Sequence, residues 1–143
     1  MKKSLQQSFG VIPIRDKDSH CQVLLVLHQK GHWGFPKGKP EQKETPKETA
    51  IRELKEETGL DVIKFLGSSF QENYYFEEDE LAINKQVVYF PALVEGEVVL
   101  QEEEVSEASW MGISQAEETM TFLEGKKMLQ EVKEWLQSQL SNS

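Results

Sequence analysis

Residues 45–59, TPKETAIRELKEETG, admit one local structure. Thr45 can cap a helix, Pro46 suits its first position, and Glu48 stands where a side chain can reach back to the cap N–H. Gly59 offers a left-handed stop. At 100° per residue, Glu53, Glu56 and Glu57 share an arc of roughly 100°, with Ala50, Leu54 and Thr58 beside it. One face is therefore apolar and the adjoining face carries three carboxylates. An exposed helix tolerates such crowding at a cost of about a few tenths of a kcal/mol per like-charged pair, and Lys47, Arg52 and Lys55 are interleaved. The segment before it, HWGFPKGKPEQKET, speaks against a merely solvated face. There Gly34, Pro36, Gly38 and Pro40 impose an unusual path leading straight into the cap.

Around this helix the chain alternates strand-like and helix-like segments. Strands are expected at Phe9–Arg15, Gln22–Gln29, Val62–Phe76 in one or two pieces, Gln86–Glu95 and Ser109–Gly112. VLLVL at 23–27 and VVYFPALV at 87–94 are too short to cross a bilayer and suit buried strands. Ser114 and Glu117 repeat the capping-box spacing. After Gly125, the stripe Met128, Leu129, Val132, Trp135, Leu136 and Leu140 predicts a core-facing helix at about 126–140. The final SQLSNS is expected to fray. Together these elements predict a mixed sheet between helices, of the α/β or α+β class, forming one domain over 1–143.

A net charge of -9 argues against an extended nucleic-acid surface, because phosphate backbones are held largely by clustered Lys and Arg. It leaves room for a small polyanion, provided divalent cations stand between the two sets of negative charge. The N-terminal stretch lacks the apolar run of a secretory signal, and Cys21, the single cysteine, excludes an internal disulfide. A cytoplasmic location with no membrane association follows as the expectation. A monomer is expected, with a dimer left open.

Gly38, five residues, Glu44, seven residues and RELKEETGL at 52–60 resemble the Nudix box, G-x5-E-x7-R-E-U-x-E-E-x-G-U with U apolar, at every specified position. The resemblance implies a Nudix hydrolase: an α/β/α sandwich that cleaves a nucleoside diphosphate linked to another moiety, using Mg2+ or, as a substitute, Mn2+. It also implies that Glu53, Glu56 and Glu57 are metal-binding carboxylates. Hard divalent ions are held by a few carboxylates and complete their shells with water and substrate phosphate, which agrees. Gly38, Glu44, Arg52 and Gly59 are the structural box residues, the Arg52 fork suiting Glu44 better than any cation.

A weaker similarity, to the asymmetric diadenosine tetraphosphate hydrolases of the animal and archaeal kind, runs through HWGFPKGK, FQENYYF, NKQVVYF, EEEVSEASWMGI and TFLEGKKML. It implies Glu104 as a further carboxylate ligand, with Glu103 as the fallback. Polyphosphate calls for cations facing the metals, and His32, Lys37 and Lys85 are the candidates. An adenine ring calls for an aromatic surface, worth roughly 1–3 kcal/mol per stacked base, and Tyr74 and Phe122 are the candidates. Strand alternation puts Tyr74 and Phe76 on one face and Tyr75 on the other. Trp110 reads as core, Glu107 as surface and EEDE at 77–80 as a hairpin tip.

The expected activity is Mg2+-dependent hydrolysis of diadenosine tetraphosphate to AMP and ATP. The rivals are a Nudix pyrophosphohydrolase acting on a nucleoside triphosphate, ADP-ribose or an RNA 5' end, and a non-catalytic nucleotide sensor. Intact box carboxylates speak against the sensor.

Overall fold

The apolar runs lie on strands covered on both faces, which is why they are continuous rather than alternating. In a computed structural model, which describes residues 2–141, the order is β1 (Lys2–Lys17), β2 (His20–His28), β3 (Trp33–Gly34), β4 (Lys37–Gly38) and α1 (Pro46–Thr58). There follow β5 (Asp61–Phe65), β6 (Phe70–Glu78), β7 (Leu81–Glu95), β8 (Val105–Met111), α2 (Ile113–Thr119) and α3 (Leu123–Ser141).

All the strands join one mixed eight-stranded sheet. Its spine is the parallel pair β1 and β7, in register from Lys2 opposite Leu81 to Ile14 opposite Leu93. Each of these long strands changes partner along its length. β1 meets β4 at Phe9 and Gly10 and then β2 from Ile14 onward, while β7 leaves β6 after Tyr89 and takes β5.

Alternation splits the core into two layers. Ile12, Ile14, Val23, Leu25, Val87 and Tyr89 face α2 and α3, packing with Ala116, Met128, Leu129 and Val132. Phe9, Val11, Leu24, Ala92 and Val94 face α1 and pack on Ala50 and Leu54. The result is an α/β/α sandwich with a mixed sheet, as expected. Among the described residues no helix is long and apolar enough to cross a membrane.

Helix α1 is built by its ends. Thr45 Oγ1 accepts from Glu48 N at 3.2 Å, Thr45 N donates to Glu48 Oε1 at 2.9 Å, and Gly59 closes the helix at φ 78°. The other expected capping box does not form. Gly112 is the N-cap of α2, without a side-chain cap bond. Ser114 Oγ instead accepts from Lys133 Nζ at 3.1 Å and Glu117 Oε1 from Gln130 Nε2 at 2.8 Å, so α3 has taken both side chains.

Nor does Gly125 precede the last helix. It sits inside α3 because a Cβ there would lie 2.6 Å from Met120 Cγ and 2.7 Å from Glu72 Oε2. Of the segment expected to fray, 138–141 are helical, while 142 and 143, like the Leu140 side chain, lie outside the described residues. Strand β7 starts at Leu81, five residues before the expected Gln86, so Lys85 is internal to a strand. Asp79 and Glu80, both at positive φ, turn the β6–β7 hairpin where EEDE predicted a tip. Trp110 is half-buried under the Arg15 guanidinium, 4.3 Å from its ring, and Cys21 is exposed on β2.

Candidate active site

The acidic face of α1 is not uniformly solvated. Glu57 is 2% exposed, whereas the Glu56 side chain is 47% exposed. Glu57 Oε1 has no hydrogen-bond partner among the described residues, and its carboxyl lies within hydrogen-bonding reach of that of Glu53. Two carboxyls sharing one hydrogen bond must hold a proton between them. Burial first, then the bond to Glu53 and its charge, push Glu57 up to about 9. Burial also raises Glu53, against the pull of the Glu57 hydrogen bond and of Arg52.

Arg52 organises what precedes the helix. Its Nε donates to Glu44 Oε2 at 2.7 Å and its Nη2 to Glu44 Oε1 at 3.0 Å, a bidentate fork. The remaining donors reach Lys39 O at 2.9 Å, Glu53 Oε1 at 2.8 Å and Glu56 Oε2 at 3.2 Å. Glu44 also accepts from Thr49 Oγ1 and from Glu41 N, and the guanidinium holds its carboxyl well below the usual range, near 2. One side chain thus ties the 38–44 loop to the helix and aims two carboxylates.

Gly38 lets that loop pass directly over Glu53. An added Cβ would lie 2.1 Å from Glu53 Cδ. Beyond the helix, Gln101 N donates to Glu57 O at 3.3 Å and Glu104 N to Gln101 O at 3.0 Å, while Glu104 O accepts from Gln29 N at 2.9 Å. The turn bearing Glu103 and Glu104 is thereby strapped to the end of α1. Both side chains are exposed, and the charge of Glu104 is felt at Glu57.

From the Glu57 carboxyl a row of rings leads away, beginning with His28. His28 stacks on His32 at 4.6 Å, His32 meets Phe122 at 5.0 Å, and Phe122 meets Tyr74 edge to face at 6.0 Å. Lys85 pairs across the strands with Tyr74, and Lys37 on β4 lies against Gly10. Strand parity puts Tyr74, Lys85 and Gly10 on the sheet face that carries α2 and α3. Tyr75, 80% exposed, takes the other face. Burial, then Lys37 and Lys85, keep His32 below its ordinary pKa. Burial and the other lysines do the same for Lys85.

Two groups were not anticipated. His28 ends β2 with its Nδ1 3.9 Å from Glu57 Oε1 and its Nε2 3.2 Å from Phe35 O. Glu72, 7% exposed on β6, takes hydrogen bonds from the Tyr74 and Tyr89 hydroxyls beneath the aromatic row. Nothing local marks either: His28 follows an apolar run and Glu72 sits in a polar stretch, and only the tertiary fold turns them inward.

A NUDIX domain model matches residues 4–132. The chain belongs to the Nudix family. It is 32% identical over 134 residues to the mouse bis(5'-nucleosyl)-tetraphosphatase [asymmetrical], covering 88% of this chain and 87% of that protein. It is 43% identical over 60 residues to the Caenorhabditis elegans m7GpppN-mRNA hydrolase dcap-2, a stretch that is 41% of this chain and 8% of that much longer protein. Its fold is similar to that of a C. elegans Ap4A hydrolase binary complex at a TM-score of 0.71, with 20% identity over 93% of this chain and 98% of the other.

Nudix hydrolases use divalent metal ions, and the residues here fit one. Glu57 Oε1 is a buried carboxyl oxygen without a hydrogen-bond partner among the described residues, its neighbour is a second half-buried carboxyl, and Gly38 leaves room above Glu53. Among the described residues no three His, Cys, Asp or Glu side chains already surround a common point, since Glu53 and Glu56 are turned onto Arg52. Arg52 therefore sets where those carboxylates rest. Arg52→Lys is expected to weaken divalent-cation binding about 10- to 100-fold, because an ammonium cannot reproduce the fork. A Mn2+ titration followed by electron paramagnetic resonance reads this; unchanged affinity would remove Arg52 from the arrangement.

Proposed function

We propose that this Nudix hydrolase cleaves diadenosine tetraphosphate asymmetrically, releasing AMP and ATP, with Mg2+ as the working ion and Mn2+ as a substitute. The observation that supports the reading is the juxtaposition of half-buried lysines and an aromatic row on one face of the sheet, with Glu57 meeting that row at His28. Base, polyphosphate and cation would each find a matching surface there. The mouse relative, aligned over nearly its whole length, carries that activity in its name and supports the choice.

Glu53 and Glu57 would hold the cation, with Glu56 and Glu104 completing the set from the rim. A bound divalent ion neutralises phosphoryl oxygens and makes water nucleophilic near neutral pH. The chain does the rest. Lys37 and Lys85 offset the charge of the polyphosphate, and His32, at the junction of Lys37 and Phe122, orients it. Glu56, exposed and hydrogen-bonded to Arg52, would orient the attacking water. Tyr74 and Phe122 touch edge to face, which leaves no slot between them. The adenine therefore stacks on the open side of Phe122, 43% exposed, with Tyr74 as the wall behind it.

A panel of dinucleoside polyphosphates, nucleoside triphosphates, ADP-ribose and 5'-triphosphate RNA, run in 18O-labelled water, tests this. Diadenosine tetraphosphate should give the highest kcat/KM, with label in one of the two products, identifying the attacked phosphorus. A triphosphate or RNA end turned over faster would replace the substrate while leaving the family chemistry intact. Equilibrium binding without any product would favour a sensor.

A further inference from the structure

His28 has a bare ring nitrogen directed at the carboxylates. Its Nε2 lies 3.2 Å from Phe35 O, and a carbonyl oxygen only accepts, so Nε2 carries the hydrogen. In the neutral ring Nδ1 is then a lone pair, 3.9 Å from the unpartnered Glu57 Oε1. That gap is too long for a hydrogen bond. Two ligands of one ion, at bonds of about 2.1 Å each, stand about 3.0 Å apart when adjacent and about 4.2 Å apart when opposite, so a closing movement of roughly 1 Å brings both atoms onto one cation.

The ring is also held in place. His32 stacks on one side at 4.6 Å, and the main chain closes a tight turn through His28 N to His32 O at 2.9 Å and Gly31 N to His28 O at 2.8 Å. Glu53, beside Glu57 and turned onto Arg52 in this structure, is the third donor once a cation draws it from the guanidinium.

We propose that His28 Nδ1 joins Glu57 and Glu53 in binding the divalent cation, so that the centre of this chain is a mixed nitrogen and oxygen site. This rests on the acidic helix being the metal seat, and it deepens that reading by naming the ion class. An imidazole donor favours first-row transition cations such as Co2+ over Mg2+, which prefers oxygen. Mg2+ is accepted, but less selectively than by carboxylates alone.

The test is electron spin-echo spectroscopy of Mn2+ bound to the full chain. The expected spectrum shows 14N modulation that converts to the 15N pattern when the protein is grown on [15N]histidine, a measurement that needs no variant. His28→Phe, which keeps a ring stacked on His32, should abolish the modulation and lower the Co2+-to-Mg2+ affinity ratio about tenfold or more; His32→Phe should leave both unchanged. Mn2+ binding that Glu57→Gln abolishes, without histidine-dependent modulation, would overturn the role of His28 and leave the metal seat standing. Absent Mn2+ binding, or binding indifferent to Glu57→Gln, would overturn both.

Discussion

Glu57→Gln is expected to lower kcat by about 10²- to 10³-fold at saturating Mg2+ while the protein stays folded. The amide keeps the shape of the carboxyl but cannot carry the charge a cation needs. Folding should tolerate it, because Oε1 has no hydrogen-bond partner among the described residues and the amide N–H can donate to Glu53 in place of the shared proton. The variant should also change how stability depends on pH in the metal-free protein. Native Glu57 keeps its proton up to about 9, against 4.5 when unfolded, so between those values the unfolded chain binds fewer protons and stability falls as pH rises. His28 contributes the opposite slope below 6.5, its native pKa being held down to about 4. Above 6.5 the His28 contribution is complete while the Glu57 slope continues up to about 9, so there the parent should lose Tm and the glutamine variant should lose much less. Melting curves in chelator at pH 6.5 and pH 9 check the sign. Activity retained by the variant, or parallel Tm profiles, would take the buried carboxylate out of both arguments.

What could be read ahead of the structure was what is locally encoded. Helix α1 was legible to the residue because Thr45, Pro46, Glu48 and Gly59 act through their own backbone neighbours. The same logic failed at Ser114 and Glu117, where the spacing is right but Lys133 and Gln130 of a packed helix compete for the side chains. Gly125 misled in the same way. A glycine chosen for close approach to Met120 and Glu72 looks, in sequence, like one chosen to end a helix. The first half of β1, KKSLQQS, shows no apolar run because its register comes from β7, some eighty residues away. The two-residue strands β3 and β4 lie within a Gly/Pro-rich loop that carries no strand pattern at all.

The site divides along the same line. The box residues stand within one loop and one helix, so the resemblance to the family motif was enough to pair Arg52 with Glu44, while the further bond from Arg52 to Glu53 came from the structure. His32, Phe122 and Tyr74 come from three distant segments, and no spacing rule joins them. Their meeting depends on Trp33 N donating to Thr121 Oγ1 at 2.8 Å and Thr121 N to Trp33 O at 3.3 Å, which register the loop before α3 against β3. His28 escaped notice for a further reason. A histidine at the end of an apolar strand is ordinary, and it gains meaning only from the orphan oxygen across from it.

Gly38→Ala separates positioning from folding. Its new Cβ would fall 2.1 Å from Glu53 Cδ and 2.3 Å from Oε1, an overlap that must be relieved. What yields is the end of a flexible side chain, so the cost falls on where the carboxylate points rather than on the backbone. Displacing a reacting or ligating group by about 1 Å can cost on the order of 10²-fold, and kcat/KM should drop accordingly with little change in Tm. Gly10→Ala supplies the contrast. There the Cβ would meet Pro36 O at 2.2 Å and Tyr89 Cε1 at 2.9 Å, main chain and a fully packed ring that have nowhere to go. That variant should lose Tm by several degrees, with β4 pushed off β1. Paired kcat/KM and Tm measurements on the two variants decide the matter. If Gly38→Ala lost stability as Gly10→Ala does, the glycine would be serving the loop; if it kept full activity, Glu53 would have no fixed place in the chemistry.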